Sequence, residues 1–200
     1  MENKHKILPF FPLKVFLLPG EDLPLRIFEP RYLQLVGEAT DEGYTFVIPY
    51  QRDDEVMDYG CEVKLQEVVA ESRQGQKVIT VESVSLVRIL NYTKQMAGKL
   101  YGGGAVETLP PSPPVSNPEL IGIIREYMER YDRDFLKQMD EENFCYYDVL
   151  SSLNLSSEDK YRFIMQPCNQ CREKFLVKHI EYLSLIRSQE KRLNNDFQLN

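Results

Sequence analysis

The sequence predicts an α+β protein in which a strand-rich part is followed by a helical part. Up to about residue 108, short β-branched and aromatic runs alternate with Pro and Gly, a pattern typical of strands and turns. Five of the 12 prolines then fall between Pro110 and Pro118, and after them apolar residues recur every three or four positions. We therefore predict a β domain over 1–110, a Pro-rich linker over 111–118 and a helical subdomain over 119–200.

The composition indicates a globular protein that is not built to bind nucleic acid or lipid. Its 42% apolar and 28% charged residues exclude a disordered or fibrous chain. No apolar run reaches the roughly 18 residues that a membrane helix needs. The net charge of −7 disfavours binding through phosphates, which requires clustered Lys and Arg. We expect a cytoplasmic protein with reduced cysteines and without membrane or nucleic-acid partners.

The strand-rich part contains one predicted helix. Prolines exclude helix before residue 28, whereas Pro30 suits a first helical turn, and the apolar spacing that follows predicts a helix over Pro30–Thr40 that stops near Gly43. Gly75 lies in the turn of a predicted hairpin, where its free φ is useful. The strands that we predict after this helix are Tyr44–Tyr50, Gly60–Glu71, Lys77–Leu90 and Lys99–Thr108.

Two segments of this part resemble ligand sites, but each has a simpler interpretation. Gln51–Met57 contains Asp53, Asp54 and Glu55, which lack the spacing of a calcium loop, so we predict a solvated charged loop. A P-loop does not account for the glycines around Gly102–Gly104, because Leu100 follows Gly98-Lys99 in place of Ser or Thr and Thr93 stands where the first glycine is required. The triple glycine indicates a bulge or a close backbone approach.

The helical part begins at a capping signal. Asn117 and Pro118 suit an N-cap and a first turn, and an apolar stripe predicts one helix of about five turns reaching Phe135. The acidic residues 140–143 interrupt the pattern. Three further helices are predicted. The first covers Tyr146–Leu153, and the second begins at the capping-box variant of Ser156 and Asp159 and continues through Ile164 and Met165. The third covers Asn169–Arg192, and we expect residues 194–200 to fray. On the last helix we expect an inward face formed by Phe175, Leu176, His179, Ile180, Leu183 and Ile186.

Candidate catalytic residues are sparse. Cys168 and Cys171 form a C-x-x-C pair, which suggests a redox or metal role; the simpler interpretation is two thiols one turn apart at a helix start. A low thiol pKa there would make one of them reactive. His179 falls on an apolar helix face and is interpreted as a core residue, and no serine or lysine has a catalytic motif around it. We expect no enzyme activity, metal or cofactor.

The stretch FPLKVFLLPGEDLPLRIFEPRY, residues 11–32, carries a family resemblance. It resembles the start of the N-terminal substrate-recognition domain of ATP-dependent Lon proteases, with the pattern FPL, PG, PL, IFE and RY at fixed spacing. Weaker similarity continues at Tyr59–Cys61 and Val87–Ile89, while Ser83 and Leu86 depart from it. The residues that we take from this motif are Phe11, Pro12, Leu13, Pro19, Gly20, Phe28, Glu29, Arg31 and Tyr32.

This resemblance implies a PUA-like pseudo-barrel of mostly antiparallel strands, then a helical subdomain that ends in a long helix. Full Lon proteases continue into an ATPase module and a Ser-Lys peptidase domain, so we expect a stand-alone substrate-binding domain protein of the kind found in bacteria. The implied function is non-catalytic binding of unfolded or damaged polypeptides, or an adaptor role that presents them to a protease or chaperone. Exposed apolar surface or strand addition would provide the binding.

The resemblance leaves open which residues bind. For the motif we expect a structural role: Glu29 and Arg31 brace the corner between strand and helix, while Phe28 and Tyr32 fill the core. The alternative function is RNA binding, because PUA-like domains also bind RNA; its candidates are Lys94, Lys99 and Tyr101. A third hypothesis, that the protein is itself a hydrolase, rests only on the family name.

Overall fold

The computed structural model describes residues 5–138 and 144–198, which form two compact units. The first, here called the β unit, contains the chain up to Pro111 together with Ser156–Tyr161. The second, the helical unit, contains Ser112–Leu155 and the chain from Arg162 onward. The division into a β domain, a linker and a helical subdomain at the predicted boundaries stays a prediction.

The β unit is a closed, mostly antiparallel sheet. Its strands are β1 (Lys6–Phe10), β2 (Asp22–Ile27), β3 (Phe46–Arg52), β4 (Glu55–Glu71), β5 (Lys77–Ile89) and β6 (Gly102–Thr108). Their order is β2-β5-β4-β3-β1-β6, and β6 also pairs with β5, which closes the sheet. Among the described strands, β1 and β3 form the one parallel pair. The predicted α+β fold with a pseudo-barrel is confirmed.

The segment between β3 and β4 is a tight turn, so the prediction of a charged loop over Gln51–Met57 is wrong. The two strands pair as far as Arg52 and Glu55, which leaves only Asp53 and Asp54 between them. Both residues have positive φ angles, 50° and 65°. Two successive left-handed residues are what a two-residue hairpin needs, and Asp tolerates that conformation better than most residues.

The helix of the β unit, α1 (Pro30–Glu42), agrees with the sequence pattern. Pro30 occupies the first turn, and Gly43 ends the helix with φ 70° and donates its N–H to the Ala39 carbonyl. The side chains that its periodicity predicted to face inward are all buried: Tyr32, Leu35, Val36 and Ala39.

The triple glycine lies in β6, where other backbone segments pass very close. A Cβ at Gly102 would lie 2.6 Å from the Thr93 carbonyl oxygen, and one at Gly103 would lie 2.6 Å from that of Leu8. At Gly104 it would overlap the backbone carbonyl of Asn91. The predicted close backbone approach is confirmed, although β6 begins at Gly102 rather than at Lys99.

The helical unit contains α2 (Pro118–Tyr131), α3 (Arg133–Gln138), α4 (Tyr146–Ser152) and α6 (Asn169–Gln198), while α5 (Ser157–Ile164) begins in the β unit. The predicted capping holds, since Asn117 Oδ1 accepts from the N–H groups of Glu119 and Leu120. The single five-turn helix is wrong, because Asp132 has φ −150° and ψ 72°, which separates α2 from α3.

Of the other helix predictions, some are confirmed and others are wrong. The Ser156 hydroxyl accepts from the Asp159 N–H, as the capping box predicted. Met165 is half exposed and lies beyond the end of α5. Helix α6 continues to Gln198, so fraying from residue 194 is wrong for the described residues, whereas residues 140–143 lie outside them. On α6, Leu176 and Ile180 are buried, and the other four predicted inward residues are half-buried.

The Pro-rich segment packs within the helical unit from Ser112 onward. Pro114 forms a bridge with Cys145, and the Val115 N–H donates to the Phe144 carbonyl at 2.9 Å. The Val115 side chain is buried. The segment is extended, as Pro favours, but it is held by pairing. Over the described parts of the chain, no helix combines the length and the apolar character needed to span a bilayer.

Candidate functional site

A groove of about 730 Å³ opens on the β unit, and six of the nine motif residues line it. It is bounded by the segment after β1, the start of α1, the β3–β4 turn and the segment after β5. The motif residues in its wall are Phe11, Pro12, Leu13, Glu29, Arg31 and Tyr32. The other lining residues are Gln51, Asp54, Glu55, Val56, Met57, Asp58, Ile89, Leu90, Asn91, Tyr92 and Lys94.

The first wall continues β1 along β3. The Phe11 N–H donates to the Val47 carbonyl at 2.8 Å, and the Gln51 N–H donates to the Leu13 carbonyl at 2.8 Å. Pro12 lies between them and has no N–H to contribute to a ladder. The FPL part of the motif is therefore fixed in an extended conformation by one neighbouring strand.

The second wall is the corner between β2 and α1. Arg31 Nη2 lies 2.7 Å from Glu29 Oε2, and the guanidinium lies 4.5 Å from the Tyr32 ring centroid. The Tyr32 ring packs on Phe11 with centroids 3.9 Å apart. Burial raises the pKa of Tyr32, while the Arg31 charge lowers it. The ion pair joins the residue before the helix to the first turn of the helix.

Phe28 departs from its prediction, because its side chain is 61% exposed instead of filling the core. Strand β2 alternates between its two faces up to Ile27, which is buried. Since successive side chains of a strand point to opposite faces, Phe28 points outward. Tyr32 is 7% exposed and does belong to the core, as predicted.

The remaining walls combine exposed apolar side chains with carboxylates. Leu90 and Tyr92 are 40% and 39% exposed, although Tyr92 stacks on Phe10 with ring centroids 5.8 Å apart. Across the β3–β4 turn, Asp54, Glu55 and Asp58 are exposed. With Glu29 the lining contains four carboxylates against the cations of Arg31 and Lys94, so the groove carries excess negative charge.

Pro19 and Gly20 lie outside the groove and shape the entry to β2. Gly20 has φ 86°, which favours glycine, and its N–H donates to the Ser83 carbonyl at 2.7 Å. The Glu21 N–H donates to the Leu18 carbonyl at 3.1 Å and closes the turn. This part of the motif positions a strand.

The three RNA candidates do not form a basic, aromatic surface. Tyr101 is 2% exposed, and its hydroxyl donates to Glu38, so its ring is not accessible for stacking on a base. Lys99 Nζ lies 2.6 Å from the same carboxylate. The hydrogen bonds from Lys99 and Tyr101 lower the pKa of Glu38 to about 2, and burial above all raises the pKa of Tyr101. Lys94 is exposed and lines the groove.

Other candidates for chemistry are dispersed. Within residues 5–138 and 144–198, no three His, Cys, Asp or Glu side chains are placed to hold a metal ion. The His179 ring stacks on Phe175 with centroids 4.2 Å apart, and its Nδ1 lies 3.2 Å from the Phe175 carbonyl oxygen. The His179 side chain is half-buried rather than fully buried.

Sequence reasoning missed the groove residues outside the motif, chiefly Leu90, Tyr92, Asp54 and Asp58. Leu90 is the end of a predicted strand and Asp54 lies in the predicted charged loop, whereas Tyr92 and Asp58 fall in no predicted element. The available signal was an aromatic residue directly after a long strand, at Tyr92. That signal is weak on its own, because an exposed Tyr is common on protein surfaces.

Comparisons with known proteins agree with the motif. The model of the ATP-dependent protease La (LON) substrate-binding domain matches residues 7–194. A Lon N-terminal domain protein from Xanthomonas campestris has 24% identity and a TM-score of 0.68, covering 86% of this chain and 97% of its own. The N-terminal domain of Mycobacterium avium complex Lon protease has 14% identity and a TM-score of 0.63, covering 88% and 98%.

Both structural likenesses concern the fold, and no curated protein matched the sequence. The family model covers nearly the whole chain, including every residue that lines the groove. The chain belongs to the Lon protease substrate-binding domain family.

Proposed function

We propose that this protein binds unfolded or damaged polypeptides in the groove of the β unit, by contact rather than by catalysis. The observation that carries the proposal is that six of the nine motif residues line one groove together with exposed apolar side chains. The family description, a substrate-binding domain of an ATP-dependent protease, supports the same class of ligand. On this proposal the protein acts in the cytoplasm as an adaptor that presents bound chains to a protease or chaperone.

The lining indicates how a polypeptide would be held. Leu90, Tyr92 and the half-buried Val56 and Met57 offer apolar area, and burying such area against a ligand is the main driving force of association. The excess carboxylates add attraction for Lys and Arg side chains. A volume of about 730 Å³ falls in the roughly 300–1,000 Å³ range of small-ligand sites. The groove therefore suits a short extended segment that carries apolar and basic residues.

Strand addition is a competing mode on the same unit. Strand β4 pairs with β3 only as far as Val63, which leaves residues 64–71 with one edge unpaired among the described strands. Three register shifts interrupt its pairing with β5, and such bulges twist an edge away from partners. We place the binding surface in the groove for this reason.

The test is a binding titration with a fluorescent, permanently unfolded polypeptide. Leu90→Ser combined with Tyr92→Ser should weaken binding about tenfold, since two partly buried apolar contacts contribute about 1.4 kcal/mol together. Leu185→Ser is the matched control, because Leu185 is 57% exposed on α6 in the other unit. Val69→Lys tests the β4 edge, where Val69 is 56% exposed.

The outcomes separate the competing functions. The proposal that the groove is the binding surface is overturned if the Leu90 and Tyr92 double variant binds with unchanged affinity. It is also overturned if the Val69 variant loses affinity instead. Tighter binding of single-stranded RNA that weakens steeply with salt would favour the RNA function. Cleavage of the polypeptide, with or without ATP, would overturn the proposal that the protein binds polypeptides without catalysis.

A further inference from the structure

Cys168 and Cys171 lie in one turn at the start of α6, and their contacts go beyond simple proximity. The Cys171 N–H donates to Cys168 Sγ at 3.3 Å, and the Arg172 N–H donates to the Cys168 carbonyl at 3.1 Å. Cys168 is thus the N-cap of α6, with its sulfur in the place where a Ser or Asp oxygen accepts a hydrogen bond.

The surroundings distinguish the two thiols. Cys168 is exposed, whereas Cys171 is half-buried. The hydrogen bonds from the Cys171 thiol and backbone, together with the Lys174 charge, lower the pKa of Cys168, while the bond to Cys168 raises that of Cys171. An accessible thiol with increased thiolate character, three residues from a less accessible thiol, is the arrangement of an attacking and a resolving cysteine.

The spacing of the two cysteines is compatible with a disulfide. Residues i and i+3 of an α-helix have Cα atoms about 5 Å apart, which lies within the roughly 4.4–6.8 Å that disulfides span. A metal role is weaker, since a structural zinc ion takes four ligands. Among the described residues no third His, Cys, Asp or Glu joins this pair as a possible ligand.

We propose that Cys168 and Cys171 are a redox-active dithiol that exchanges with small-molecule disulfides such as glutathione disulfide, with Cys168 attacking and Cys171 resolving. The Cys168 thiolate attacks one sulfur of glutathione disulfide; a mixed disulfide forms, and one glutathione leaves as a thiolate that takes up a proton. Cys171, after losing its proton to water, attacks Cys168 Sγ and displaces the second glutathione. The dithiol loses two electrons and two protons, and glutathione disulfide becomes two glutathione thiols.

The experiment equilibrates the whole reduced chain with glutathione buffers of increasing disulfide content, then alkylates the remaining thiols and maps them by mass spectrometry. Wild type should convert to a form lighter by two hydrogen atoms, with the bond between Cys168 and Cys171 and no glutathione retained. Cys171→Ser should instead retain one glutathione on Cys168. In time courses with glutathione disulfide, Cys168→Ser should react at Cys171 about tenfold more slowly than Cys171→Ser reacts at Cys168, because Cys171 is half-buried whereas Cys168 is exposed.

Two internal controls come from the same chain. Cys61 is buried and burial raises its pKa to about 12, and Cys145 is half-buried with its pKa raised mainly by burial, so both should stay reduced throughout. The proposal is overturned if wild type retains glutathione at Cys168 without closing the disulfide. Equal reaction rates for the two serine variants, or a bond to Cys145, would also overturn it.

Discussion

Lys160 Nζ lies 2.6 Å from Glu21 Oε1, although the two residues are 139 positions apart in the chain. Both side chains are largely buried, 13% and 20% exposed. Glu21 Oε2 also accepts from the Leu18 N–H at 2.9 Å, so one carboxylate joins the turn before β2 to the first turns of α5. The pair is part of what holds Ser156–Tyr161 in the β unit.

Removing Lys160 should destabilise the β unit. Lys160→Met leaves the Glu21 carboxylate poorly solvated, and we expect a loss of about 2 kcal/mol, between the values typical of exposed and buried pairs. Urea unfolding, followed by circular dichroism, measures it. The matched control is Lys137→Met, because the pair of Lys137 with Asp134 is 75% and 81% exposed. The expectation fails if both substitutions have equal effects.

Gly104→Ala should be among the most damaging small substitutions in this chain. The added methyl overlaps the Asn91 backbone carbonyl, which cannot move without breaking the segment after β5. Overpacking of this kind costs about 3 kcal/mol. Gly122→Ala is the control, because open space surrounds that position in α2 and Ala favours helix by about 1 kcal/mol. Thermal unfolding should move in opposite directions for the two variants.

Stability at acidic pH should depend on Glu38. Its folded-state pKa of about 2 is lower than the ordinary value of 4.5, so the ionised carboxylate stabilises the folded state above that ordinary value. This stabilisation is lost as the pH falls from about 4.5 towards 2. Unfolding measured across this window should show a steeper decline for wild type than for Glu38→Gln.

A second variant tests the cause of that shift. Lys99→Met removes the hydrogen bond that contributes most to the lowered pKa of Glu38. The acid-induced loss of stability should then still begin near pH 4.5, but it should be smaller than in wild type and complete at a higher pH. Parallel profiles for all three proteins would contradict the role of Glu38.

Local patterns predicted most of the elements because they depend on neighbours in the chain. Asn117, Ser156 and Gly43 cap or end helices through groups within a few residues of each one. The alternation along β5 and the helical period after Pro118 follow from which face is buried. The errors at Asp53, Asp132 and Phe28 fall where an element changes direction, because there backbone angles and not periodicity decide the outcome.

The fold class, most of the elements and, through residues 11–32, the family could be predicted from the amino-acid sequence. The meeting of FPL and the Glu29–Tyr32 corner with the segments around Asp54 and Tyr92 in one groove could be found only in the folded chain. These segments are far apart along the chain. Short-range propensities fix a strand or a helix, but a surface assembled from segments about 20 to 40 residues apart depends on strand pairing and closure of the sheet.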